Sequence, residues 1–248
     1  MLLNLQIIII FAICIVPVTI IAQTPTKCNA SCGISSAKHL PFPFGFSAGC
    51  PFRLNCTSTG DILIHDFPVQ KVTPDVILIN LPAKCDRPIT ALHHLFGQNY
   101  APTSCNGILL QNCSLPIKPC LIPTTTIQTH FELLDCVSEK GNNISCYSEQ
   151  NNQSRFVDYT KVIQSGCVSL FSAISLESLG NNLDVSIDVQ AVQLGWWLEG
   201  DCDCSPNANC SMVESPVGKG YRCRCLEGFV GDGFPAGLGC RKGAFQLP

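Results

Sequence analysis

The chain has 248 residues and a formal charge of −3, from 15 Lys plus Arg against 18 Asp plus Glu. That balance excludes the basic surface a nucleic-acid-binding protein needs. Charged residues make up 13% of the chain, about half the usual share for a soluble domain, and its 18 cysteines exclude a reducing compartment.

Residues 1–22 carry no acidic or basic side chain, are broken by Pro17 and end on Ala22 before Gln23-Thr24. This is the pattern of a secretory signal peptide cleaved after Ala22, although its n-region lacks Lys or Arg. A retained signal anchor is the alternative, because the stretch is about long enough to cross a bilayer; Pro17 and the small Ala22 favour cleavage. No second long apolar run follows. Glycans are the expected source of solubility, at the Asn-X-Ser/Thr sequons of Asn29, Asn55, Asn112, Asn143, Asn152 and Asn209. Lower occupancy is expected at Asn55, Asn112 and Asn209, where the middle residue is Cys.

The first segment, residues 27–120, is rich in Pro, Gly and Cys and reads as a β-rich disulfide scaffold. Ile62, Ile64 and Val76 to Leu81 read as short strands, and Ile89 to Phe96, between Pro88 and Gly97, as a short helix. Eleven cysteines fall between Cys28 and Cys167, an odd number, so one thiol there is expected to be free or to pair with another chain. Cys105, in the turn-like Thr103-Ser-Cys-Asn-Gly107, is the expected one. A metal site and a cofactor are not expected: there is no pair of CxxC knuckles, and His39, His65, His93, His94 and His130 are not at ligand spacing from the cysteines. Gly45-Phe-Ser47-Ala-Gly49 matches the G-x-S-x-G of a hydrolase nucleophile elbow, but Pro41 and Pro43 precede it and Cys50-Pro51 follow, where a strand and a helix are required. The chain is therefore read as no enzyme.

In the second segment, residues 121–201, Leu183, Val185, Ile187, Val189 and Ala191 alternate with polar residues as a half-buried strand does. Val192, Leu194 and Trp196 continue one residue out of phase, so a bulge near Ala191 and Val192 is expected. Residues 168–201 carry five acids and no Lys or Arg. Asp184 and Asp188 could serve Ca²⁺ or a basic partner, but a solvated strand face is the preferred reading. Adjacent Trp196 and Trp197 point to opposite faces, so only one is expected to bury easily. The other could stack on a sugar or on the next module, and packing at the module junction is preferred.

Cys202-Asp-Cys204, Cys210, Cys223-Arg-Cys225 and Cys240 follow in residues 202–240, with an eight-residue tail, 241–248. Their order resembles that of an epidermal-growth-factor-like module, and the resemblance implies the bridges Cys202 to Cys210, Cys204 to Cys223 and Cys225 to Cys240. Calcium-binding versions resemble one another in an acidic lead-in and an Asp or Asn after the third cysteine. Here Leu198-Glu-Gly-Asp201 and Met212 stand at those places, so calcium is not expected, and a stalk is the preferred role.

Cys28-Asn-Ala-Ser-Cys32-Gly33, Pro41-Phe-Pro-Phe-Gly45-Phe, Gly49-Cys50-Pro51 and Arg53-Leu-Asn-Cys56 resemble the galacturonan-binding domain of plant wall-associated receptor kinases. Asn99-Tyr-Ala-Pro-Thr-Ser, Leu110-Gln-Asn-Cys113 and Leu194-Gly-Trp-Trp-Leu198 extend the resemblance to the ectodomain of the wall-associated kinase-like branch. The fold so implied is mostly β and disulfide-rich: two small β-rich lobes followed by the growth-factor-like module. Such receptors continue into a transmembrane helix and a kinase, whose motifs are missing here, so a secreted decoy, a co-receptor or a truncated product is expected. The implied ligand is pectic polysaccharide or oligogalacturonide, in the cell wall or apoplast and in reach of the plasma membrane, with a receptor kinase as a further partner.

A polymer with one carboxylate per sugar needs fixed cations, and guanidinium pairs bidentately with carboxylate. Lys27, Lys38, Arg53, Lys71, Lys84 and Arg87 are the candidates; Arg53, Lys71, Lys84 and Arg87 are the chosen set, and Lys84-Cys-Asp-Arg87 is the tightest group. The rival reading is a protein-binding apoplastic module that touches no glycan.

Overall fold

The computed structural model describes residues 27–33, 38–114, 117, 120, 124–131, 144–149, 155–178 and 185–243. The expected signal peptide, Asn143, Asn152, Asp184 and the side chain of Lys38 lie outside these. The chain is mostly β, and seven disulfides join described cysteines to one another.

At the start, β1 (Ser31–Cys32) pairs with β2 (Lys38–His39), and β3 (Phe44–Gly45) runs parallel to β4 (Phe52–Arg53). Disulfides Cys28–Cys50 and Cys32–Cys56 hold this short-stranded region. Gly45 is required there, since a Cβ would stand 2.3 Å from the Cys50 sulfur and 2.6 Å from the Asn29 carbonyl. Ser47 Oγ accepts from the Asn29 amide at 2.9 Å, and no helix follows it, so the G-x-S-x-G pattern is a turn packed on a disulfide.

A six-stranded sheet has the order β5 (Asn55–Cys56), β6 (Ile62–Ile64), β7 (Phe67–Val72), β8 (Val76–Asn80), β14 (Ala191–Trp196), β9 (Tyr100–Pro102). A four-stranded sheet has the order β11 (Ser145–Tyr147), β10 (Asn106–Gln111), β12 (Ser169–Ser178), β13 (Val185–Val189). Apolar faces explain both. Ile77 and Ile79 of β8 and Val192 and Leu194 of β14 share one core with Ile108 and Leu110 of β10 and Leu170 and Ala173 of β12. Full burial of each such Ile or Leu is worth roughly 1.5–3 kcal/mol. Every residue of β10 is buried, as its central place predicts. Among the described residues, three short helices complete the head: a 3₁₀ helix (Ile89–Leu95), α1 (Thr124–Phe131) and α2 (Tyr159–Gln164).

The two sheets do not follow the division at residue 120. β10 lies before it yet sits in the sheet of β11 to β13, while β14 lies far after it and is inserted between β8 and β9. The phase change after Ala191 has the same origin. Instead of a bulge, Gln190 turns with φ 58° and carries the chain from edge strand β13 into the other sheet. Its carbonyl accepts from the Leu81 amide at 2.7 Å, and its side-chain oxygen from the Ala83 amide at 3.0 Å.

The last module is a three-stranded sheet, β15 (Leu198–Glu199), β17 (Gly218–Cys225), β16 (Ala208–Ser215), followed by the pair β18 (Phe229–Gly231) and β19 (Cys240–Lys242). Its disulfides join Cys202 to Cys210, Cys204 to Cys223 and Cys225 to Cys240. The expected stalk is instead docked on the head. Phe234 packs on Phe42 with ring centroids 5.3 Å apart and on Tyr221 at 6.3 Å.

Candidate functional site

The junction between head and module is built on the tryptophan pair. Trp196 is 2% exposed and Trp197 1%, so both bury where only one was expected to do so easily, and both pack at the module junction, the preferred reading. Neither is open for stacking on a sugar. Opposite faces are the reason: Trp196 lies edge-on to Phe44 at 4.9 Å, and Trp197 edge-on to Phe156 at 5.3 Å, next to Val213 of the module. Arg222 of β17 lies over the Trp196 ring at 5.5 Å, donates Nε to the Trp196 carbonyl and reaches Asp75 at 3.5 Å. Arg224 pairs with Asp75 as well. Burial lowers the Arg222 pKa, partly offset by Asp75.

Docking leaves a cleft of about 730 Å³ between the head and the β16–β17 hairpin. That is within the range of small-ligand sites. Its head wall carries Phe96, Arg155 and Tyr159; its module wall carries Met212, Glu214 and Pro216. Phe96 and Tyr159 meet edge-on at 5.2 Å, and Tyr159 is 37% exposed. Asp158 also lines the cleft but is committed: its carboxylate caps α2 by accepting from the Thr160 amide at 2.9 Å and the Lys161 amide at 3.3 Å. Lys161 pairs with Asp158 at 3.7 Å and with buried Glu149 at 3.2 Å, which also accepts from the Tyr147 hydroxyl at 2.7 Å. Burial, and then the bond to Glu149, pushes Tyr147 up and keeps it a neutral donor. Arg155 is different. It is exposed, and no ion pair engages it among the described residues.

The cations chosen from sequence are spread over the head. Arg53 is exposed on β4, Lys71 on β7, and Lys84 in the segment after β8; Lys27 is exposed ahead of Cys28. Lys84 and Arg87 flank bridged Cys85. Arg87 is only half exposed, and its guanidinium donates to the Pro82 carbonyl at 2.6 Å and the Phe171 carbonyl at 3.3 Å, with the Phe67 ring 5.9 Å away. Burial lowers its pKa. One donor thus ties the segment to β12 and another closes it on Pro82, a positioning role that leaves less for a ligand.

Histidine provides a cluster that spacing along the chain does not reveal. His65, in the turn between β6 and β7, stacks on His94 of the 3₁₀ helix at 4.8 Å and 14°, and His93 meets His94 at 5.1 Å. No group of three or more His, Cys, Asp or Glu among the described residues could hold a metal ion. Asp188 lies on edge strand β13, opposite Ser175. Cys105 is exposed and unbridged, and the Cys113–Cys167 and Cys120–Cys146 bridges lie elsewhere in the head. The sequon residues Asn29, Asn55, Asn112 and Asn209 are all exposed. No helix among the described residues is long and apolar enough to cross a membrane.

The family described as EGF domain matches residues 198–235. Wall-associated receptor kinase-like 14 of Arabidopsis thaliana is 39% identical over 222 residues, covering 86% of this chain and 31% of the relative. Wall-associated receptor kinase-like 21 of the same plant is 35% identical over 257 residues, covering 96% and 39%. The chain thus spans about a third of the length of the curated relatives it matches. No solved structure gives a significant match.

Proposed function

The chain belongs with the wall-associated receptor kinase-like proteins and carries an EGF domain, and from that premise we propose that it is an extracellular cell-wall ectodomain that binds pectic polysaccharide. The observation that carries this reading is Arg155, an uncommitted guanidinium at an aromatic-walled cleft sized for a few sugar rings. Guanidinium pairs with a uronate carboxylate, and the Tyr159 face offers an apolar platform for a ring. Exposed Arg53, Lys71 and Lys84 supply further charge for a long polymer, each pair being worth only about 0.2–1 kcal/mol. A cleaved signal peptide and glycans on the exposed sequons belong to the same reading, with residues 27–201 as the head and 202–240 as the module.

The test is binding of the recombinant chain, made in an oxidising host, to de-esterified homogalacturonan and to a neutral glucan. Binding to the first alone is expected, weakening as salt approaches about 1 M, where the screening length is about 3 Å. Arg155→Glu is expected to weaken it about tenfold or more. Equal binding to the neutral glucan would remove the reading.

A second reading, a module that docks on another receptor, is favoured by one feature. The module exposes Met212, Val217, Val230 and Leu238, between 53% and 63% each. Capture of a receptor kinase that survives digestion of the wall glycans would support it.

A further inference from the structure

Two members of the histidine cluster lie on the 3₁₀ helix that leads into the cleft. His93 and His94 form its last turn, and Phe96, which follows it, is part of the cleft wall. Two residues span at most about 7 Å, so the backbone that carries His94 lies within a sugar unit or two of the cleft wall at Phe96. Resting on the pectic reading above, we propose that His65, His93 and His94 form a carboxylate-binding subsite that takes up protons as it takes up ligand, so that polyuronate is held more tightly in acid.

Geometry carries this. Three imidazoles from two elements are in ring contact, with centroids 4.8 and 5.1 Å apart. Two like charges at about 5 Å repel by roughly 1 kcal/mol in water and roughly 3 kcal/mol at an effective dielectric of 20. Charging the rings together is therefore opposed in the free cluster, and a carboxylate laid across it offsets the repulsion. By linkage, what raises proton affinity is itself bound more tightly by the protonated form. The surroundings do little to neutralise the charge. Asp66 is the acid that acts on His65, against burial and the two other histidines, which lower its pKa. Tyr100 of β9 donates to the His94 carbonyl at 3.3 Å and, raised by burial to about 12, stays neutral. From α2, packed on the same helix, Lys161 is already paired with Glu149 and Asp158. The contact with the start of β12 is through Val168 and Ser169, which are uncharged. Lys and Arg do not titrate between about pH 5.5 and 7.5, and a uronate stays ionised there, so only histidine can move binding in that window.

The experiment measures affinity for a de-esterified homogalacturonan oligomer at about pH 7.5 and 5.5 and constant ionic strength. Wild type is expected to bind about tenfold or more tightly at the lower pH. The double variant His65→Asn, His94→Asn is expected to lose the gain, its affinities at the two pH values differing by less than about twofold. Asn tolerates the left-handed backbone at position 65, where φ is 51°. In parallel, histidine ring proton resonances of wild type are expected to titrate at higher pH when ligand is present. Binding that is independent of pH, or unchanged pH dependence in the double variant, would overturn this inference while leaving the pectic reading intact. No binding at either pH would overturn both.

Discussion

The head buries Ile77, Ile79, Ile108, Leu110, Val192 and Leu194 completely between its two sheets, whereas from residue 202 onward the buried apolar side chains are Val213, Tyr221, Cys223 and Phe234. The head has a core of its own and uses disulfides to tie down short strands and loops. The module has three disulfides, and all four of its buried apolar groups pack in clusters shared with the head: Val213 joins Trp197 and Phe156, while Tyr221, Cys223 and Phe234 join the cluster that holds Phe44 and Trp196, Phe234 meeting Phe42. Small modules need staples because their surface is large for their volume. Here the staple is supplemented by a docking face, and the cleft beside α2 exists because that face is fixed.

The largest expected effect comes from removing the shared contact. Phe234→Ala should cost about 3–5 kcal/mol and lower a single thermal transition of the disulfide-intact protein. Two separated transitions, with the head's unmoved, would show that the module folds independently and break the comparison. Arg222→Ala should cost on the order of 2 kcal/mol, from the lost carbonyl and Trp196 contacts, and should make the segment before Cys202 more susceptible to proteolysis in the native state. Asp75→Asn, at a side chain more than half exposed, should cost under about 1 kcal/mol; a loss as large as that of Arg222→Ala would mean that the ion pair, not the ring contact, locks the module.

The smallest effect is one of pH. Because the folded protein depresses the pKa of His65, the unfolded chain binds more protons between the folded value and the ordinary 6.5. Stability is therefore complete above about pH 6.5 and falls slightly as the pH drops through that window. His65→Asn should flatten this slope in denaturant titrations of the ligand-free protein, and an unaltered slope would place the titrating group elsewhere.

Much of this organisation was legible in the chain. The cysteine order showed a stapled module, and Ile62, Ile64 and the short apolar run Val76 to Leu81 showed strands, because apolar patterning and disulfide density are local signals. Contacts between distant segments were not. His65 and His94 are far apart in sequence and meet only because the β6–β7 turn reaches the 3₁₀ helix. For Trp196 and Trp197 the preferred reading, packing at the module junction, holds, but the sequence did not show that both bury: Phe44 and Arg222 cover one face and Phe156 and Val213 the other. Arg87 looked like a free cation because nothing in Lys84-Cys-Asp-Arg87 reveals that the Phe171 carbonyl lies within its reach. Arg155 drew no notice, since a cleft between modules has no sequence signature.

The central claim is that ligand binds where the docked module meets the head, in the cleft that Arg155 and Tyr159 share with Met212 and Glu214. Amide hydrogen exchange, with and without saturating de-esterified homogalacturonan oligomer, tests it most directly. Slowed exchange is expected in residues 93–96, 155–160 and 212–216 together, drawn from both regions. Protection confined to the head around Arg53, Lys71 and Lys84, with none on the β16–β17 hairpin, would contradict it.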